Sequence, residues 1–291
     1  MSTLNERHTL AEQVAQAMGK SVYNNVEAHK DITPRLELQQ KSPKLMTLEE
    51  AIRHPGLKDG MTISFHHHFR GGDKVVNMVV AKLAEMGFKG LHLAASSLQD
   101  VHEPLIEHIR NGVITEISTS GLRGELAKEI SHGLMEKPVV FRSHGGRGEA
   151  IASGELHIDV AFLGASSSDP LGNACGYSRS ENAKSICGSL GYALPDAHYA
   201  DKVVILTDDL VPYPNTPNSI SEHDVDYVVE VESVGDSSKI ASGAIRDTKN
   251  PRDILLAQQA AKVIVNSGYF KNGFSIQTGS GGASLAAVKY I

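Results

Sequence analysis

Apolar positions along this chain alternate between short strand-like runs and helical spacing. Met61, Ile63 and Phe65 alternate with polar residues. After a stretch of histidines and glycines, Val75, Val76, Val79 and Val80 recur at a spacing that suits a helix ending near Gly87. The spacing then predicts a strand over 90–95 with the small polar turn Ala95-Ser96-Ser97 at its carboxyl end, a helix over 103–109 and a strand over 113–117. A Ser/Thr/Gly loop over 118–124 leads to a helix over 125–131 and a strand over 138–141. The glycine-rich turn Ser143-His144-Gly145-Gly146-Arg147-Gly148 and a short helix over 149–152 follow. Residues 157–163 are the most strand-like run, closing on Gly164-Ala165-Ser166-Ser167-Ser168-Asp169. Strands alternating with helices over short connections predict an α/β fold, a largely parallel sheet with helices on both faces. Open sheets of this kind bind ligands outside the carboxyl ends of their strands, and here those ends carry Ser, Gly, His and Asp.

On either side the pattern weakens. Leu10, Val14, Ala17 and Met18 mark an amphipathic helix, while 24–41 is polar and poorly patterned, so 1–45 reads as an N-terminal arm. Thr47 followed by Glu50 fits a capping box opening a helix. After Pro170 comes the polar segment Gly172-Asn173-Ala174-Cys175-Gly176, and then strand-like runs over 200–206 and 225–231. Prolines 212, 214 and 217 between those runs exclude a central strand. A helix over 253–267 starts a new unit, which gives a first α/β domain over 46–250 and the start of a second over 251–291. The last residue, Ile291, falls inside a helical pattern with no capping signal, as if the chain stopped one helix into that second unit.

The strand, glycine loop and helix around Gly71-Gly72 have a counterpart near the end of the chain. Gly279-Ser280-Gly281-Gly282 precedes an Ala/Leu/Val-rich helix, at an offset of 281 minus 71, or 210 residues. Glycines at a strand tip beside a helix amino terminus can seat an anionic group against backbone N–H donors. One such loop is an ordinary turn; two in matching contexts point to a duplicated unit.

Composition narrows the function. A net charge of 28 minus 34, or −6, without a basic stripe argues against nucleic acid as partner. The chain has no run of apolar residues long enough for a membrane span, and its first twenty residues are polar, so a cytoplasmic protein is expected. Cys175 and Cys187 lack a C-x-x-C spacing and read as reduced thiols. His66, His67 and His68 would alternate faces along a strand, and with no H-E-x-x-H they read as hydrogen-bond donors to a carboxylate or phosphate; no metal is expected. There is no Walker A loop, no G-x-G-x-x-G opening a long helix and no G-x-S-x-G elbow.

T-I-S-F-H-H-H-F-R-G-G-D, F-R-S-H-G-G-R-G-E-A-I and Q-T-G-S-G-G-A-S-L-A, with the run 157–163 leading to Asp169 and the Gly172-Asn173 segment, resemble the citrate lyase alpha chain family of the CoA-transferase superfamily. The resemblance extends over essentially the whole chain. It implies two homologous CoA-transferase-like halves and the citrate CoA-transferase reaction, in which the acetyl carrier-protein thioester plus citrate gives the citryl thioester plus acetate. It also implies partners: a beta (lyase) chain, a gamma chain that is the acyl carrier protein, citrate itself, and oligomeric assembly. No cofactor would be bound covalently to this chain. The CoA-like phosphopantetheine group would sit on the carrier protein, with acetyl-CoA as a surrogate.

Such an exchange needs donors for an anionic acyl centre, a groove for the pantetheine arm and groups that hold a tricarboxylate. The candidates are His66, His67, His68, Arg70, Gly71, Gly72, Ser96, Ser97, Arg142, His144, Gly145, Gly146, Arg147, Ser166, Asp169, Asn173, Gly279, Ser280, Gly281 and Gly282. Ser180-Glu181-Asn182 is similar to the nucleophilic glutamate motif of other CoA transferases. In those the glutamate lies well after the second glycine loop, a region that on this chain would fall beyond Ile291. Glu181 is therefore expected to be structural or substrate-contacting, and the catalytic group is unassigned. The family's alpha chain has two full halves, and this chain ends just after its second glycine loop, so weak or no transferase activity of the chain alone is expected. Another CoA transferase or a sugar-phosphate isomerase on the same fold, and a non-catalytic half that docks a carrier protein, are the competing readings.

Overall fold

The structure, a computed structural model, describes residues 13, 14, 16, 17, 44–66, 68–181, 183–188, 190–240, 248–276 and 282–291. Residues 1–41 and 42–291 form separate units. Of the candidate contacts, His67, Gly279, Ser280 and Gly281 lie outside the described residues.

The larger unit opens on helix α1 (Leu48–Arg53), with the capping box that its sequence predicts. Thr47 Oγ1 accepts from the Glu50 N–H at 3.3 Å, and Glu50 Oε2 accepts from the Thr47 N–H at 2.9 Å. The strands are β1 (Thr62–Phe65), β2 (Leu91–Ala95), β3 (Ile114–Thr119), β4 (Val140–Phe141), β5 (Val160–Ala165), β6 (Ser167–Ser168), β7 (Ala174–Cys175), β8 (Lys202–Thr207) and β9 (Tyr227–Glu230). Between them run α2 (Val75–Glu85), α3 (Leu105–Arg110), α4 (Gly124–Ser131), α5 (His144–Ala152) and α6 (Leu194–Tyr199), and α7 (Pro251–Asn266) and α8 (Gly282–Val288) follow.

Seven strands form one parallel sheet in the order β4-β3-β2-β1-β5-β8-β9, while β6 and β7 pair antiparallel beside it. From β1 the chain moves outward through β2, β3 and β4; it then returns to β5 on the other side of β1 and continues through β8 to β9. With right-handed crossovers this reversal places the connecting helices on both faces. It explains why every residue of β5 is buried and why that run is continuously apolar. The reversal also leaves a crevice outside the carboxyl ends of β1 and β5, where ligands of such sheets bind.

Three expectations are corrected. The glycine-rich turn over 143–148 is itself helical: α5 begins at His144, and Ser143 Oγ caps it by accepting from the Gly146 N–H at 3.0 Å. A serine before a helix start is a common cap, and it offsets the low helix propensity of three glycines. In the second copy of the glycine motif, residues 274–276 are neither helix nor strand, and Gly282 opens α8. Ile291 is not inside a helix: α8 ends at Val288, the Lys289 and Tyr290 N–H groups close a turn onto the Ala286 and Ala287 carbonyls at 3.0 and 3.1 Å, and Ile291 follows as exposed, irregular chain.

Gly72 does not cradle an anion. It lies in a 3-10 turn (Arg70–Gly72) packed on the chain at Asp236, where a Cβ would overlap the Asp236 carbonyl oxygen; the Asp236 N–H donates to the Gly72 carbonyl at 2.9 Å. The amino end of α2 is likewise occupied from within. Asp73 Oδ2 accepts from the Val76 N–H at 3.1 Å and from His102 Nε2 at 3.1 Å, with both side chains buried. Gly72→Ala is therefore expected to destabilise the chain by about 1–3 kcal/mol through overpacking. Gly145→Ala, whose Cβ would meet open space, is expected to leave stability within about 0.5 kcal/mol. Urea unfolding of the two variants checks this, and equal midpoints would refute it.

Candidate functional site

The crevice at the sheet reversal is a cleft of about 700 Å³, lined by His66 and His68 beyond β1, Arg70, the first turns of α5 (His144, Gly145, Gly148), Cys187, the Gly191–Tyr192 turn with Pro195, and Ile240. Helical spacing sorts α5 into two faces. His144, Gly145 and Gly148 face the cleft, whereas Arg147, Ala150 and Ile151 are buried.

The floor is formed by two histidine rings, of which His68 is uncharged near neutral pH. The His66 and His68 rings stack with centroids 3.9 Å apart. His66 Nε2 faces the Gly164 carbonyl at 3.1 Å and His68 Nδ1 faces the His66 carbonyl at 3.2 Å, so each of these nitrogens carries the proton it donates. His68 Nε2 is then a lone-pair acceptor, and it has no partner among the described residues. Gly164 is required beneath this ring, because a Cβ there would lie 2.8 Å from His68 Cε1. Burial lowers the His68 pKa to about 4, against the opposing pull of Asp73 and the His66 carbonyl. Burial also pushes the Cys187 thiol up to about 11, although Ser166 hydrogen bonds oppose it, so Cys187 is no thiolate nucleophile.

A histidine whose folded pKa lies below its unfolded value stabilises the fold above the unfolded value and loses that contribution as pH falls toward the folded one. Between pH 6.5 and 4, His68 is expected to remove about 2 kcal/mol of stability, allowing for solvent that still reaches the half-buried ring. Urea unfolding of wild type and His68→Gln at pH 7 and pH 4.5 checks this. An unchanged difference between the two proteins would contradict it.

The charge in the cleft comes from Arg70. Its backbone is left-handed, with φ 50°, the one described non-glycine residue with positive φ. Its guanidinium makes no hydrogen bond or ion pair among the described residues. A cation held on a strained backbone without a carboxylate partner is suited to a ligand's carboxylate. In the same lining, the amino end of α5 presents the Gly145 N–H, which has no protein acceptor among the described residues.

Thus His66, His68, Arg70, His144 and Gly145 are brought together, while other candidates are placed elsewhere. Arg147 is 2% exposed and binds Asp196 instead of the cleft. Arg142 pairs with Glu155 at 2.8 Å. Asp169 accepts from the N–H groups of Leu171, Gly172, Asn173 and Asn215 and from Asn173 Nδ2, at 2.8–3.2 Å. Asn173 in turn bonds Asn218 and Glu222, so this pair knits the proline loop to the β6–β7 turn. Ser96 is buried at the end of β2, Ser97 accepts from Gln99 Nε2 at 2.7 Å, and Ser166 holds Cys187 in the wall by accepting its N–H at 3.0 Å. Glu181 is exposed and outside the lining, and so is Ile291, beyond which the family's nucleophile region was expected. The sequence reading missed Cys187, Tyr192, Pro195 and Ile240; proline near the start of α6 was the available signal for that helix.

Among the described residues the only three-ligand group close enough to share a metal ion is His157, Asp159 and Asp201, beside the amino ends of β5 and β8, opposite the cleft. No helix among them is long and apolar enough to cross a membrane.

Residues 42–291 match the family described as citrate lyase, alpha subunit (CitF). The citrate lyase alpha chain of Klebsiella pneumoniae is 60% identical over 272 residues, covering 89% of this chain and 53% of the relative. A Streptococcus mutans protein described as a citrate lyase alpha subunit, solved in complex with citrate, is 60% identical with a TM-score of 0.77. That match covers 85% of this chain and 48% of that one. The alpha subunit of an Acinetobacter baumannii malonate decarboxylase shares the fold at 16% identity and a TM-score of 0.59, covering 98% of this chain and 47% of that one. This chain spans about half the length of the curated relatives it matches.

Proposed function

The chain belongs to the citrate lyase alpha subunit family, and from that premise we propose that its cleft takes part in acyl exchange between the acetyl carrier-protein thioester and citrate, giving the citryl thioester and acetate. The observation that carries the reading is Arg70, a cation with no partner among the described residues in a cleft at the sheet reversal, in a chain 60% identical to a protein solved with citrate.

In this reading Arg70 seats a carboxylate of citrate. The neutral His68 ring, with the His66 ring stacked on it, forms a floor on which His68 neither repels nor protonates it, and the amino end of α5 offers N–H donors to the oxyanion that develops at the acyl carbon. The phosphopantetheine group that supplies the thioester is carried by the acyl carrier protein, the gamma partner, and a beta chain then cleaves the citryl thioester. Full turnover requires the polypeptide that the relatives carry beyond the matched span, and the assembly works in the cytoplasm.

The test is a thioester-exchange assay with acetyl-CoA as surrogate donor and citrate, acetoacetate or short acids as acceptors, alongside calorimetric titration of citrate into the chain. Citrate is expected to bind and to be the preferred acceptor once the remaining polypeptide is supplied. No citrate binding, or equal use of all acceptors, would sink the proposal.

A further inference from the structure

Arg147, the arginine of the H-G-G-R-G run, is a positioning residue. We propose that its buried pair with Asp196 sets the spacing of the cleft walls. Arg147 Nη1 donates to Asp196 Oδ2 at 3.0 Å and Nη2 to Oδ1 at 2.9 Å; Nη2 also reaches Ser64 Oγ at 2.7 Å and the Ala94 carbonyl at 3.2 Å. Ser64 Oγ closes the network onto Asp196 Oδ1 and bonds the Ala94 carbonyl at 3.0 Å.

Each member sits on an element that lines the cleft with other residues. Arg147 is on α5, whose outer face gives His144, Gly145 and Gly148. Asp196 is on α6, next to Pro195 and just after the Gly191–Tyr192 turn. Ser64 is on β1, whose carboxyl end leads directly into His66 on the cleft floor. One network therefore ties both walls to the floor, and the walls meet above it where the His144 and Tyr192 rings pack edge to face with centroids 4.9 Å apart.

Stability alone is a weak account of the pair. A buried ion pair is often replaceable by apolar residues without loss, and Arg147 Nε is left without a partner among the described residues. What apolar residues would not reproduce is the bidentate fork, which fixes both the distance and the angle between α5 and α6.

Cys187 in the cleft lining supplies a native reporter that needs no ligand. In the full chain, the rate of Cys187 alkylation by iodoacetamide, resolved from Cys175 by peptide mass spectrometry, is compared between wild type and Arg147→Met/Asp196→Leu. That replacement removes both charges together. The double variant is expected to melt within a few degrees of wild type and to label at least tenfold faster. An unchanged rate in a folded double variant overturns the proposal. Should that variant fail to fold, Arg147→Lys, which keeps the charge but not the fork, decides the matter: labelling at the wild-type rate overturns the proposal and faster labelling supports it.

The consequence for citrate rests on the proposed function, with a Kd expected to be at least tenfold weaker in the double variant. Absence of citrate binding by wild type would defeat that reading of the site, while the thiol rate would still decide the spacing.

Discussion

Asp196→Ala is expected to destabilise the chain by about 3–5 kcal/mol, the largest effect of any single truncation around the cleft. The carboxylate is fully buried and takes both arms of the Arg147 fork. Without it the guanidinium keeps only Ser64 Oγ and the Ala94 carbonyl as partners, in a buried site shielded from bulk solvent. The size of the loss comes from stranding a charge, not from the intrinsic strength of the bond. Arg147→Met/Asp196→Leu should accordingly recover most of what Asp196→Ala loses. Urea unfolding of wild type, Arg147→Met, Asp196→Leu and the double variant measures the coupling. Single losses that simply add in the double variant would show that the two side chains do not act as a pair.

That network also marks where the sequence stopped being readable. The alternation of strands and helices and the capping box at Thr47 were legible, because each rests on local periodicity or on neighbours within four residues. β5 was legible for a further reason: a strand buried on both faces must be apolar throughout, and 160–165 is.

The role of each polar residue was not legible, since role depends on what the fold brings opposite it. Arg70 and Arg147 both sit in glycine-rich stretches, yet one ends in the cleft and the other beneath it. Asp196, 49 residues from Arg147, carries no motif of its own. Gly72 invited a phosphate-loop reading, because close approach to a ligand and close approach to another part of the chain both require the missing Cβ; here the neighbour is Asp236. Asp73 then fills the amino end of α2 that an anion would have used. Cys187 enters the cleft from a segment without regular structure and Ile240 from the end of a three-residue 3-10 turn (Ser237–Lys239), where periodicity has nothing to report.

Arg70 separates binding from folding, because its two liabilities point in opposite directions. A residue with a Cβ at φ 50° is strained by about 1 kcal/mol, which glycine relieves. Among the described residues its guanidinium bonds no protein group, so its removal breaks no internal hydrogen bond or ion pair there. Arg70→Gly is thus expected to raise the unfolding free energy by up to about 1 kcal/mol while weakening citrate binding on the order of a hundredfold. The latter corresponds to about 3 kcal/mol for the loss of a bidentate, charge-assisted contact to a carboxylate. Arg70→Lys keeps the charge without the planar fork and should fall between the two. Calorimetric titration of citrate into the three proteins, with urea unfolding in parallel, reads both quantities. Destabilisation by Arg70→Gly would mean that the guanidinium supports the fold. A stabilised variant with undiminished citrate affinity would remove Arg70 from the site, and with it the observation on which the proposed function rests.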